Sequence, residues 1–284
     1  MPELPEVETI RKQLDAELAG KKISKVLVLR EKSFTGDPEL LSGEIVDRIE
    51  RKSKVIEISF SSWDRLVIIH LKMTGQLVYL KKGGRVAGGH PTVDWINELP
   101  SKHTRVVWEF ADGSILYFND MRVFGWMKIV NKEKYEREIR KKVPDVIDKE
   151  FDFNYLKTVL GKSKRVIKLV LTDQEKMGGM GNIYANDALH LSGISPFRVA
   201  DSLSDIEIER LHKAMVEVIE KGIKYGGSSA SDEKFVDIKG EKGRYQEHFL
   251  VYERSGLPCN RCGEEIQRKK LGGRSAFFCP KCQK

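Results

Sequence analysis

The sequence predicts an α+β protein in three parts: an N-terminal β-sandwich or barrel-like domain opened by a helix, a helical domain, and a short metal-stapled tail. Three observations predict it. Short alternating apolar runs fill the region from Lys22 to Phe118. Beyond about residue 150 the apolar period lengthens to that of helices. All four cysteines fall within the last 26 residues.

Each element follows in order. Val7, Ile10, Leu14 and Leu18 share one helical stripe that stops at Gly20, and Pro5 suits the first turn, where a missing N–H costs nothing. "KISKVLVLR", "VIEISF", "RLVIIHL", "QLVYL", "RVVWEF" and "SILYF" then alternate as strands, several bounded by Gly, Asp or Asn. Seven or eight strands in roughly 110 residues suit a sandwich. Gly83 to Gly89, running on to Pro100, reads as a long surface loop, and Asn131 to Asp145 as a charged hinge or linker. Ile206, Leu211, Met215, Val218 and Ile219 build a helix, with Ser204 and Asp205 as candidate caps and Gly226-Gly227 as its close. Ser228 to Gly243 is polar and Gly/Lys-rich and reads as a mobile loop.

The 284 residues suit two domains, or one with an appendage. Fifty Lys and Arg against 42 Asp and Glu leave a formal charge of +8, with a pI near 9.1. That excess suits nucleic acid or another anionic surface. No apolar run is long enough to span a bilayer. "MPELPEVETI" lacks the basic start and apolar core of a secretory signal, so a cytoplasmic location is expected.

The strongest motif is Cys259-x2-Cys262-x16-Cys279-x2-Cys282. Two such knuckles can close a tetrahedral site with four thiolates, which implies one structural zinc and no open position for catalysis. Arg268, Lys269, Lys270 and Arg274 lie between the knuckles, where they suit phosphate contacts or a solvated hairpin. "GMGNIY", Gly179 to Tyr184, either lets backbone N–H groups and Asn182 approach a phosphate or is an ordinary helix–helix turn. It is neither a Walker A loop nor a dinucleotide fingerprint, and no organic cofactor is expected. In "NDMRVFG", Phe124 and Arg122 are either a core aromatic beside a surface cation or a wedge that fills a base stack. Met73 is a further long apolar candidate. Removal of Met1 would expose Pro2 as a secondary amine, whose class titrates at about 7.7–8.0. Such an amine can attack an aldehyde-level carbon to give an iminium, and Glu3 beside it can move protons. The alternative is that Pro2 only precedes a helix.

These features, in this order, resemble one family: the bacterial formamidopyrimidine-DNA glycosylases of the Fpg/Nei superfamily. "PELPEVET" is similar to the family's start, and the match runs through "GGMGNIYANDALHLSGISP" to "GGRSAFFCPKCQK". Leu4 stands where the pyrimidine-directed sibling branch has Gly, which favours the purine-directed branch. The resemblance implies a β-sandwich domain (1–130), a linker (131–150), a helix-two-turn-helix domain with a lesion-capping loop at about 228–245 (151–258), and a zinc finger (259–284), with DNA in the cleft between them. It implies a monomeric, nucleoid-associated bacterial enzyme of base excision repair, both glycosylase and AP lyase. Such an enzyme acts on double-stranded DNA carrying oxidised purines or abasic sites and cuts by β,δ-elimination.

The resemblance also assigns roles. Pro2 is the nucleophile, Glu3 the proton carrier, Lys54 the lysine that assists elimination, and Arg274 the arginine linked to δ-elimination. His103, Arg122 and Lys164 match DNA contacts, while Lys168 and Asn182 match residues that grip the backbone near the flipped nucleotide. Met73, Arg122 and Phe124 match the side chains that fill the gap.

The chain also departs from the pattern. The family's Asp-Pro-Arg-Arg-Phe-Gly is Asp120-Met121-Arg122-Val123-Phe124-Gly125 here, and its Lys-His-Asp-His is Lys102-His103-Thr104-Arg105. Lys72 replaces the Gly before Met73, and "GEKGRY" replaces the common Lys-Pro-Gly. These changes fall where damage type and opposite base are read. Two readings compete with the main one: a pyrimidine-preferring endonuclease VIII-like relative, and a damage-binding zinc protein without catalysis, which would have no use for Pro2 and Glu3.

Overall fold

The computed structural model describes residues 1–81, 84–89, 99–140, 142–229, 236–237 and 241–284. The chain divides into two compact units, Met1–Lys142 with Tyr225–Arg244, and Val143–Lys224 with Tyr245–Lys284.

The first unit opens with the helix Leu4–Leu18, whose Val7, Ile10, Leu14 and Leu18 are buried as their spacing predicts. Among the described residues ten strands follow: β1 (Ile23–Val28), β2 (Phe34–Thr35), β3 (Val46–Lys52), β4 (Val55–Phe60), β5 (Arg65–His70), β6 (Gly75–Lys81), β7 (Gly84–Gly89), β8 (Thr104–Phe110), β9 (Ile115–Asp120) and β10 (Trp126–Asn131). They form two five-stranded sheets, ordered β1-β8-β9-β6-β7 and β2-β10-β5-β4-β3. Neighbours run antiparallel, except that β2 pairs parallel with β10. One apolar cluster joins the inward residues of both sheets, such as Leu77, Trp108 and Phe118 on one and Ile49, Ile58 and Ile69 on the other, with the helix stripe. Burying each such side chain is worth about 1.5–3 kcal/mol. This is the expected β-sandwich.

One expectation changes and another gains detail. Gly84–Gly89 is not loop but strand β7, paired with β6 from Lys81↔Gly84 to Gln76↔Gly89. Edge pairing needs only backbone groups, so glycines permit what side-chain alternation cannot signal. Residues 83 and 90–98 of that proposed loop lie outside the described residues. The charged stretch after Asn131, read as a hinge or linker, has local structure of its own. It forms the helix Lys132–Tyr135 and a wider turn, Glu136–Arg140. Tyr135 donates to the buried Glu57 at 2.7 Å, and Arg140 meets Glu50, Glu57 and Glu136 at 3.1, 3.3 and 3.0 Å. Burial pushes the Glu57 carboxyl upward.

The second unit contains the helices Phe153–Gly161, Ile167–Leu171, Asn182–Ser192 and Asp205–Lys224, and the hairpin of β11 (Gln267–Leu271) and β12 (Arg274–Phe278). Its core holds Leu156, Leu160, Ile183, Leu189, Leu211, Met215 and Ile219. Asp152 caps the first helix by accepting the Tyr155 N–H at 2.7 Å. Glu207 reaches back to the Ser204 N–H at 2.8 Å, where the last helix begins. Gly226 and Gly227 follow that helix with φ of 72° and 82°. Among the described residues, no helix is long and apolar enough to cross a membrane.

Candidate active site and DNA-binding surfaces

Pro2 and Glu3 are buried at the head of the first helix. Glu6 fixes them. Its carboxylate is fully buried and accepts the Glu3 N–H at 2.8 Å through one oxygen and the Ser228 N–H at 2.7 Å through the other. Gly227 has φ +82°, and a Cβ there would lie 2.8 Å from Glu6 Cγ, so this turn needs glycine for conformation and for space. Part of the loop read as mobile is thereby tied to the N-terminal segment. Asp237 is tied as well, accepting from Gln13 Nε2 at 2.7 Å. Residues 230–235 and 238–240 of that loop lie outside the described residues. The Glu3-x-x-Glu6 spacing is the sequence signal for this reciprocal cap, and sequence reading overlooked it.

Lys54 sits in the turn between β3 and β4 and is 4 % exposed. Its neighbour Ser53 has φ 53°, a left-handed backbone. Arg51 holds the turn: it donates to Ser53 O at 2.9 Å and to Glu8 of the first helix at 3.0 Å. His70, which sequence reading also missed, lies near enough to Lys54 for their charges to interact. Burial, then Lys72 and Lys54, push the ring down to about 3. Its Nδ1 accepts the Lys72 N–H at 3.0 Å, so the neutral ring carries its proton on Nε2.

Met73, Arg122 and Phe124 come together on two loops. Met73 and Phe124 are 44 % and 52 % exposed, unusual for large apolar side chains that a core could take. The Arg122 guanidinium lies 4.7 Å from the Phe124 ring centre, and its Nη1 is 3.3 Å from Met73 Sδ. Asp120 organises the group. Its carboxylate accepts the N–H groups of Arg122, Phe124 and Gly125 at 3.1, 2.7 and 2.6 Å and the Thr74 hydroxyl. Val123 has φ 54°, costly for a β-branched residue, and the Asp120 bonds on either side hold it there. Arg105 donates to Asp120 O at 2.8 Å and Lys102 O at 3.0 Å, bracing the turn that carries His103 against the loop of Arg122 and Phe124.

In the second unit, Lys168, Asn182 and Arg274 line one cavity of about 360 Å3, together with Arg165 and Gln174. Asn182 begins its helix. Gln174 sets that start by accepting the Gly179 N–H at 3.1 Å and donating to Met180 O at 2.6 Å. Gly272 and Gly273, both at positive φ, make the tight β11–β12 turn that delivers Arg274 at the head of β12. Lys168 is 1 % exposed and donates to Ser275 O at 2.5 Å, so a strand of the finger fixes its ammonium. Lys164 is not part of this group. Its side chain is 90 % exposed and pairs with Asp201.

The four cysteine sulfurs lie within 4.8 Å of one another. Four thiols at that separation fit tetrahedral zinc, which would bind all four as thiolates and fix the finger's shape. The finger docks on the Asn182–Ser192 helix. Asn186 accepts the Phe277 N–H at 2.9 Å. Asp187 accepts the N–H groups of Leu250, Val251 and Tyr252 at 3.2, 3.0 and 3.3 Å. Burial pushes the Asp187 carboxyl up to about 6.

Family comparison agrees with this geometry. Residues 1–127 match the formamidopyrimidine-DNA glycosylase N-terminal domain, 143–234 its H2TH domain, and 256–284 the zinc finger found in FPG and IleRS. The chain belongs to the formamidopyrimidine-DNA glycosylase family. It is 38 % identical over 291 residues to the formamidopyrimidine-DNA glycosylase of Pelotomaculum thermopropionicum, covering 100 % of this chain and 99 % of that one. The Desulforamulus reducens enzyme is 39 % identical at the same coverage. Among solved structures, MutM (FPG) from Thermus thermophilus superposes with a TM-score of 0.85 at 32 % identity, covering 99 % and 98 % of the two chains. A Lactococcus lactis FPG mutant bound to Fapy-dG-containing DNA gives 0.86 at 31 %, covering both chains fully. The expected family, α+β class, helix-two-turn-helix domain and structural zinc finger therefore hold. The protein is a DNA repair enzyme, a bifunctional glycosylase and AP lyase.

Proposed function

We propose that this chain excises oxidised purines, 8-oxoguanine and formamidopyrimidines, from double-stranded DNA through a Schiff base on Pro2, and then cuts the strand by β,δ-elimination. The observation that supports this most is the buried carboxylate of Glu6, which anchors the Pro2–Glu3 pair at the helix head through the Glu3 N–H at 2.8 Å. A binding protein has no need of an N-terminal amine held this way. Solved relatives carry DNA with Fapy-dG, an abasic site or carbocyclic 8-oxo-G.

The chemistry assigns each residue a task. Flipping a nucleotide out of the stack costs a few kcal/mol, roughly, which Met73, Arg122 and Phe124 offset by filling the gap. The neutral Pro2 nitrogen bonds to C1′ as the bond from C1′ to the base breaks, and Glu3 relays the protons. The iminium acidifies the C2′ proton. Lys54 assists its removal, and the 3′ phosphate leaves. Arg274 supports the second elimination, while Lys168 and Asn182 hold the backbone phosphate and His103 and Lys164 add DNA contacts. His70 Nε2–H is a further phosphate donor beside Lys54.

On this reading, 1–130 performs the chemistry, 131–150 links, 151–258 grips and caps, and 259–284 fixes the finger. The enzyme works as a monomer on the bacterial chromosome in the cytoplasm. Cleavage of duplexes containing 8-oxoguanine opposite cytosine, compared with thymine glycol duplexes, tests the lesion class. Faster cleavage of the purine lesion is expected. Preference for thymine glycol would reassign the chain to pyrimidine damage.

A further inference from the structure

The Asn182–Ser192 helix turns three buried polar side chains toward the finger and the segment leading to it. Asn186 and Asp187 take backbone N–H groups, as described. The third, His190, meets the metal site itself. Its Nε2 lies 3.3 Å from Cys259 Sγ, and the residue is 2 % exposed. Among the described residues its Nδ1 has no hydrogen-bond partner, so the polar contact of this ring is with a cysteine of the zinc site. His190 is not among the four side chains whose ligand atoms cluster within 4.8 Å. It therefore approaches one sulfur from outside the set rather than competing for the metal.

We propose that His190 is a positioning residue of the zinc site, donating its Nε2–H to the Cys259 thiolate. A zinc-bound thiolate keeps much of its negative charge, and a buried sulfur has no water to share it with. An N–H donor takes up part of that charge, lowers the sulfur's reactivity and lengthens the metal's residence. Backbone donors already serve the site: Arg261 N–H points at Cys259 Sγ and Cys282 N–H at Cys279 Sγ, each at 3.4 Å. His190 adds a side-chain donor to Cys259 and ties that ligand to the helix that begins at Asn182. The proton balance is simple. The Cys259 thiol gives its proton to solvent when zinc binds. The neutral ring keeps one proton and exchanges it through solvent onto Nε2, the nitrogen facing sulfur.

Long-range proton–nitrogen NMR of the zinc-loaded protein reads the ring directly. The expected result is a neutral His190 protonated on Nε2 with a bare Nδ1. A ring protonated on Nδ1, with its bare Nε2 against the sulfur, overturns the proposal without any mutation. His190→Phe, which keeps the ring volume, supplies the second measurement. In cobalt-substituted protein, its thiolate-to-metal bands should move to lower energy, and zinc transfer to a chromophoric chelator should quicken about 10-fold. A packing role alone would leave the bands where they were, so an unshifted spectrum also overturns it.

Discussion

The two units hold their functional side chains by one device on different foundations. In each, a buried acceptor gathers backbone N–H groups: Glu6 and Asp120 in the first, Asp187 in the second. The first unit sets its acceptors against a continuous apolar core drawn from two sheets and a helix. The finger has 26 residues from Cys259 onward, too few for such a core, and depends on four thiols and the helix beneath it. On the proposed reading the roles are separate: the chemistry stands on a sandwich with its own apolar core, and the phosphate grip on a part that needs metal.

The largest expected effect probes the chemistry alone. Glu3→Gln keeps a capping oxygen but cannot relay protons, so base excision should fall about 10^2–10^4-fold with duplex affinity nearly unchanged. An affinity loss as large as the rate loss would mean that Glu3 serves binding. Next comes removal of zinc by a chelator. Duplex binding should collapse while the β-sheet circular dichroism of the sandwich persists, and joint loss of both signals would deny the separation. A smaller effect is expected at the wedge. Asp120→Ala leaves three N–H groups without their carboxylate, a cost of about 1–3 kcal/mol. Excision in duplex DNA should slow roughly 10-fold, with cleavage of a pre-formed abasic site less affected, because an absent base costs less to expose.

The smallest effect is in pH. The His70 ring is pushed down to about 3 from an ordinary 6.5. The unfolded chain therefore binds that proton first, and the His70 contribution, complete above pH 6.5, fades as pH falls toward 3. Asp187 has the opposite sign. Its carboxyl is raised to about 6 from 3.8, so its contribution, complete below pH 3.8, is lost as pH rises through 6. Hydrogen exchange between pH 4 and 7 should show acid weakening the first unit through His70 and strengthening the second through Asp187. Asp187→Asn should flatten the second profile, and a curve superimposed on the parent's would remove Asp187 from the account.

Much of this was legible in the sequence because the signals are local. Two CxxC knuckles, a stripe at Val7, Ile10, Leu14 and Leu18, and alternating strands each announce themselves within a few residues. What stayed hidden depends on partners distant in sequence. The Glu3-x-x-Glu6 cap has a local signal that was overlooked, but the Glu6 bond to Ser228 spans 222 positions and has none. Asp120 looks like a strand-end acid until three N–H groups of its own loop converge on it. Strand β7 is glycine-rich, so no side-chain pattern declares it and pairing with β6 alone creates it. Lys164 adds a partner that its sequence position did not show: its exposed ammonium pairs with Asp201, 37 positions away.

The central claim is that the Pro2 nitrogen, freed of Met1, is the nucleophile. Borohydride reduction during reaction with a duplex carrying 8-oxoguanine opposite cytosine, followed by peptide mapping, tests it directly. One covalent adduct per cross-linked chain is expected, mapped to Pro2 and absent from Pro2→Gly and from protein that retains Met1. An adduct on Lys54 or another lysine, or undiminished trapping by Pro2→Gly, would contradict it.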